Sequence, residues 1–75
     1  MNKSYASFLL THIQSIQKMR SALRIEARFQ VLHSAINQAE QNNQITSGEA
    51  FTLLDRLDFA KRWRLGEIAS QTKAV

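Results

Sequence analysis

Apolar residues recur at helical spacing along most of this 75-residue chain. From about residue 4 to residue 40 they return every three or four positions, and no proline or glycine interrupts the pattern. A second helical pattern runs from about residue 47 to about residue 70, and its apolar stripe is typical of a core-facing helix. That stripe consists of Ala50, Leu53, Leu54, Leu57, Ala60, Leu65 and Ile68.

The start of the second helix carries the clearest local signal. Thr46 and Glu49 have the spacing of a capping box, in which each side chain accepts a hydrogen bond from the backbone N–H of the other. The preceding residues are polar, and Asn42 or Asn43 can adopt the left-handed conformation that ends a helix. The pattern therefore predicts an all-α antiparallel helical hairpin, with a long helix over about 4–41, a loop over about 42–46 and a helix over about 47–70.

The long first helix has two apolar stripes that point in different directions. At 100° per residue, Ile16 and Phe29 lie about 140° apart, so one helix face cannot contain both stripes. We favour a continuous helix; the alternative is a break near Arg20 and Ser21, where Ser21 would cap a third helix. The earlier stripe contains Tyr5, Phe8, Leu9, Ile13, Ile16, Met19 and Leu23, and the later one contains Ala22, Ile25, Phe29, Leu32, Ile36 and Ala39.

The earlier stripe has no partner in a two-helix hairpin if the first helix is continuous. A hairpin of this size has a thin core, and chains this small commonly need a disulfide, a metal or a second subunit. The chain has no cysteine, so we expect residues 1–75 to form one small helical domain that pairs into a dimer or four-helix bundle. A monomeric three-helix bundle with the stripe as its core is one alternative, and a surface for a different protein is another.

An aromatic pair adds a second candidate contact surface. Phe59 and Trp63 lie four residues apart on the second helix, away from its leucine stripe. Tryptophan is enriched among the residues that anchor protein interfaces. The predicted dimer or partner interface consists of Tyr5, Phe8, Leu9, Ile13, Ile16, Met19, Leu23, Phe59 and Trp63.

The distribution of charge points to an anionic partner. Ten Lys and Arg residues against six Asp and Glu residues give a net charge of +4, and the basic residues are not scattered evenly. One group lies on the first helix at spacings of four, and another flanks Trp63, so both would meet at the open end of the hairpin. Such a cluster suits phosphates, a membrane surface or an acidic protein. The predicted anionic-partner patch consists of Arg20, Arg24, Arg28, Lys61, Arg62 and Arg64.

Patterns that would carry catalysis are weak in this chain. His12 and His33 are too far apart in sequence to form a helical metal-binding pair. Asp55 and Asp58 suit helix-surface ion pairs with Arg62 better than acid–base chemistry. A thin hairpin also offers no cleft that excludes water from a substrate. We expect no enzymatic activity, no cofactor, no metal and no small-molecule substrate.

These observations favour a binding function. We expect a non-enzymatic protein-interaction module, such as an adaptor, a chaperone-like protein or an inhibitor, that holds a partner protein through its helix faces. The alternative is a small basic hairpin dimer that binds RNA or DNA. Membrane association is not expected, because each stripe has a plausible protein partner and no segment reaches the roughly 18 apolar residues of a membrane span. No signal peptide is recognisable either, so we expect a cytoplasmic protein.

Overall fold

The computed structural model describes the backbone of residues 5–73 and the side chains of residues 5–70. Over this range the predicted all-α class is confirmed. Helix α1 spans Tyr5–Gln14, a short 3₁₀ helix spans Ser15–Lys18, α2 spans Ala22–Gln41 and α3 spans Ser47–Lys73. The predicted helix start at residue 4 lies outside the described residues.

The prediction of one continuous helix over about 4–41 is wrong. The chain leaves the helical conformation at Met19, which is extended (φ −79°, ψ 145°), and α2 starts afresh after Ser21. The hydroxyl of Ser21 accepts a hydrogen bond from the backbone N–H of Arg24 at 3.3 Å, as an N-cap residue does. The break turns both apolar stripes of the first half towards the same third helix, so both can be buried within one chain.

Contacts between α2 and α3 run in reversed order along the two helices. The Ser47 hydroxyl at the start of α3 donates to the Glu40 carboxylate near the end of α2, at 2.9 Å. Lys61, further along α3, is 3.6 Å from the Glu26 carboxylate near the start of α2. This order is that of neighbouring antiparallel helices.

Helix α1 runs in the same direction as α3. Ala6 and Gly48 line one groove between the two helices, and Gln14 and Asp58 line a second groove further along both. The described helices therefore run up, down and up in an elongated body of 47 × 21 × 17 Å. At 1.5 Å per residue α3 is about 40 Å long and α2 about 30 Å. About two turns of α3 consequently extend beyond the start of α2.

The loop between α2 and α3 forms as predicted. Asn43 has a φ of 61°, the left-handed conformation that ends a helix. The backbone N–H of Thr46 donates to the Glu49 carboxylate at 2.9 Å, and the backbone N–H of Glu49 donates to the Thr46 hydroxyl at 3.1 Å. The capping box is thus confirmed, and it fixes the start of α3.

One apolar core runs between the helices, and every helix contributes to it. No buried side-chain nitrogen or oxygen among the described residues lacks a hydrogen-bond partner. The core therefore carries no polar group whose burial would need a ligand. Its buried members are Leu9, Ile13, Ile16, Ile25, Leu32, Ile36, Ala39, Ile45, Ala50, Leu53, Leu57 and Ala60.

Candidate partner-binding surfaces

The packing of α1 decides which predicted interface residues can reach a partner. Leu9, Ile13 and Ile16 are at most 2% exposed, because the 3₁₀ helix and the break after it fold this stripe onto α3. They form core in the folded chain and are not available on its surface, contrary to the expectation of an unpartnered stripe. Tyr5 and Met19 are partly buried against the same core.

Two members of the earlier stripe do remain on the surface. Phe8 is 53% exposed and Leu23 is 80% exposed. The Phe8 ring stacks on Tyr5 with centroids 5.5 Å apart and forms a T-shaped pair with His12, with centroids 4.6 Å apart. Leu23 lies beyond the break and belongs to a different surface, on α2.

The outer face of α2 combines exposed apolar side chains with arginines. Leu23 and Val31, the latter 61% exposed, lie on the same side of the helix, with exposed Ala27 midway between them. We call Leu23, Ala27 and Val31 the α2 ridge. A shallow groove beside this ridge is lined by Met19, Arg24, Ala27, Arg28 and Val31.

Three arginines lie in or just before the first half of α2. Arg20 and Arg24 are exposed and Arg28 is partly exposed. Among the described residues, none of the three forms an ion pair. The only acidic residue in this half of α2, Glu26, is paired with Lys61 on the α3 side. The arginines are therefore free of competing internal carboxylates and can meet an external anion.

Lys61 and Arg64, two of the α3 residues in the predicted anionic-partner patch, have partners within the chain. The Arg64 guanidinium donates to the Met19 carbonyl at 2.6 Å and to the Glu67 carboxylate at 3.0 Å, and its side chain is 14% exposed. Lys61 lies 4.1 Å from the centre of the Phe29 ring in addition to its pairing with Glu26. Of the six residues of the predicted anionic-partner patch, two are thus used by the fold.

Arg62 is the third basic residue of α3 in that patch. It pairs with Asp58 at 3.1 Å, one of the two ion pairs expected for it, but its side chain stays 76% exposed. Asp58 and Arg62 directly precede the exposed Phe59 and Trp63 in sequence, and their pairing neutralises the charge of Arg62 locally. The arginines of α2 therefore carry most of the available positive charge of the patch.

A second exposed surface lies on the distal half of α3. The Phe59 and Trp63 rings stack with centroids 5.9 Å apart and an interplanar angle of 24°. They are 62% and 55% exposed, so no described segment covers them. Next to Trp63, a groove is lined by Arg62, Trp63, Gly66, Glu67 and Ser70.

Sequence reasoning missed two exposed apolar residues. Val31 and Phe51, the latter 75% exposed, lie outside the stripes that the helical pattern assigns to the core. For Val31 a signal existed, because it follows Leu23 and Ala27 at spacings of four along one helix face. That spacing alone would have outlined the α2 ridge.

The residues considered for chemistry are separate in space. The ring nitrogen Nδ1 of His33 lies 3.3 Å from the side-chain amide of Asn37, while His12 contacts Phe8. Within residues 5–70 no cluster of three or more histidine or carboxylate side chains is arranged to hold a metal ion. Over the same described part of the chain, no helix combines the length and hydropathy needed to cross a membrane.

Comparison with known protein families, curated proteins and solved structures gives no significant match to this chain. The two exposed surfaces are the features of this chain that bear on its function.

Proposed function

We propose that this chain is a non-enzymatic protein-binding module that holds an acidic amphipathic helix of another protein against the outer face of α2. The observation that carries this proposal is the α2 ridge, in which Leu23 is 80% and Val31 61% exposed, with Arg24 and Arg28 lining the groove beside it. Exposed aliphatic side chains arranged in a row are characteristic of surfaces that bind a partner.

The shape of the ridge fits a helix. Two larger side chains flank the small Ala27, and this arrangement leaves a dip one turn from each of them. Side chains of a partner helix at spacings of three or four can enter such a dip and the groove beside Met19. Burial of Leu23 and Val31 against those side chains supplies the apolar part of the affinity.

The charge of the face sets the chemistry of the partner. Arg24 and Arg28 lie along the ridge and Arg20 lies just before α2. Each presents a guanidinium that can form paired hydrogen bonds with a carboxylate. Charge complementarity of this kind speeds association and excludes basic partners. The preferred partner helix therefore carries Glu or Asp residues along the edges of its apolar stripe.

Nucleic acid is the alternative that the same arginines favour. Phosphates would satisfy the three guanidinium groups, and three contacts would give a slope of about 2–3 in a plot of log affinity against log salt. A phosphate backbone, however, leaves the two exposed aliphatic side chains without an apolar partner, and nucleic-acid interfaces are strongly polar. The ridge thus favours a protein over a nucleic acid.

The experiment compares three probes by fluorescence anisotropy at about 50 mM and about 200 mM salt. The first is a designed helical peptide with leucines on one face and glutamates along its edges, and the second replaces those glutamates with lysines. The third is a single-stranded RNA. We expect micromolar binding of the acidic peptide and binding of the lysine peptide at least tenfold weaker.

Variants assign the binding to the α2 face. Leu23→Ser should lower the affinity for the acidic peptide about tenfold, and so should the double variant Arg24→Ala with Arg28→Ala. Arg56→Ala on α3 is the matched control and should change this affinity little. Equal binding of both peptides, or no binding of the acidic one at high micromolar protein, contradicts the proposal. RNA binding that survives Leu23→Ser and is lost with the arginines would assign the face to nucleic acid instead.

A further inference from the structure

We infer that the distal half of α3 is a self-complementary surface through which two copies of this chain pair in antiparallel orientation. Four residues define this surface, which we call the α3 face: Phe59, Trp63, Gly66 and Ser70. Their spacings of four, three and four place them on one side of the helix. This surface lies on a different helix from the α2 ridge, so the inference stands independently of the proposed function.

The α3 face contains both a projection and a depression. Trp63 is 55% exposed and forms the projection together with the stacked ring of Phe59. Gly66 forms the depression, because a Cβ atom added there would have no atom within 4 Å. Ser70, one turn further on, is also small, so another helix can approach closely along this stretch.

A two-fold axis can place the projection of one copy opposite the depression of the other. In an antiparallel pair whose axis passes between residues 64 and 65, Trp63 of one copy lies opposite Gly66 of the other, and Phe59 lies opposite Ser70. Each large side chain then meets a small one, and the match occurs twice, as a symmetric interface requires. A parallel pair would instead oppose tryptophan with tryptophan and glycine with glycine.

The length of α3 makes this pairing accessible. About two turns of α3 extend beyond the start of α2, and in an antiparallel pair each extension lies along the aromatic stretch of the other copy. The bodies of the two bundles are then at opposite ends of the contact. No part of α1 or α2 needs to move to expose the α3 face, since both aromatic rings are already more than half exposed.

The available area indicates a weak dimer. A Phe or Trp side chain offers about 150–250 Å², so the exposed parts of four rings contribute several hundred Å². Stable interfaces bury about 1,200–2,000 Å² in total, and transient ones less. Self-association should therefore appear at tens to hundreds of micromolar protein.

The test is sedimentation equilibrium of the full chain over that concentration range. Wild type should show a reversible dimer. Trp63→Ala removes the projection and Gly66→Trp fills the depression, so each variant alone should dimerise at least tenfold more weakly. Mixed in equal amounts, the two variants should associate again, because the Trp63→Ala variant offers two depressions and the Gly66→Trp variant two projections.

Controls separate association from folding and from other surfaces. Gly66→Trp removes a helix-interior glycine, so its thermal midpoint should not fall below that of wild type. Phe51→Ala removes an aromatic that is even more exposed than Phe59 and Trp63 but lies outside the α3 face, and it should leave the dimer unchanged, as should Arg24→Ala on α2. A wild type that stays monomeric throughout, single variants that dimerise normally, or a mixture that fails to associate would each overturn the inference.

Discussion

Arg64 links two segments that are distant in sequence, the turn before α2 and the distal half of α3. The first backbone hydrogen bond of α2 runs from the Ile25 N–H to the Ser21 carbonyl at 3.0 Å, so the Met19 carbonyl lies outside the helical ladder. The Arg64 guanidinium supplies the donor that this carbonyl lacks, at 2.6 Å, and also binds Glu67. A charged residue that the sequence pattern assigns to a binding patch thus stabilises the chain reversal before α2.

This contact gives a prediction about stability. Arg64→Met keeps the length of the side chain but leaves the Met19 carbonyl without its donor. The free energy of unfolding should therefore fall by about 1–3 kcal/mol. Arg62→Met is the matched control, because its ion pair with Asp58 is largely exposed and should contribute less than about 0.5 kcal/mol. Urea unfolding followed by circular dichroism measures both. Equal effects of the two substitutions would contradict the role assigned to Arg64.

At the scale of the helix, two caps determine where α2 and α3 begin. The Thr46–Glu49 box uses two reciprocal hydrogen bonds of 2.9 and 3.1 Å, whereas Ser21 forms a single one of 3.3 Å. Both caps satisfy N–H groups that have no partner inside the helix. The cap of α3 therefore has more and shorter hydrogen bonds than the cap of α2.

Removal of each cap should therefore lower the free energy of unfolding by a different amount. We expect Thr46→Ala to destabilise the chain by about 1 kcal/mol and Ser21→Ala by about 0.5 kcal/mol. Ser34→Ala, in the exposed middle of α2, should be neutral or slightly stabilising because alanine favours helices. Thermal unfolding of the three variants tests this order, and a Ser21→Ala variant less stable than Thr46→Ala would reverse it.

The two caps also differ in how well they can be predicted from the sequence. The loop, the left-handed Asn43 and the start of α3 were predictable, because each depends on residues within a few positions of one another. The break before α2 was predicted only as the alternative to a continuous helix, since Ser21 carries no capping box and no glycine or proline accompanies it. What decides the break is burial of Leu9, Ile13 and Ile16 against a helix distant in sequence. The Arg64–Met19 contact spans 45 positions and leaves no local signal.

For the whole molecule, the break means that one chain can bury both stripes of its first half. The predicted partner interface is divided accordingly: Ile16 is fully buried, whereas Leu23 is 80% exposed on the α2 ridge. The same sequence stripe therefore contains a core residue and a surface residue seven positions apart. Substitution of each by a charged residue distinguishes the two environments.

We expect Ile16→Glu to unfold the chain. Burial of an unpaired carboxylate costs several kcal/mol, and a domain of this size has only about 3–5 kcal/mol to lose. Leu23→Glu, by contrast, should stay folded with a change of less than about 0.5 kcal/mol. Circular dichroism at micromolar protein measures the helix content of both. A folded monomeric Ile16→Glu variant would indicate that Ile16 belongs to a subunit contact after all.

Binding of an acidic amphipathic helix to the outer face of α2 can be located residue by residue. The experiment is an amide chemical-shift map of the isotope-labelled chain during titration with the acidic designed peptide. We predict that the perturbed amides cluster between Arg20 and Val31, while the amides around Phe59 and Trp63 change little. Shifts confined to α3, or no shifts at a peptide concentration well above that of the protein, would contradict the proposed function.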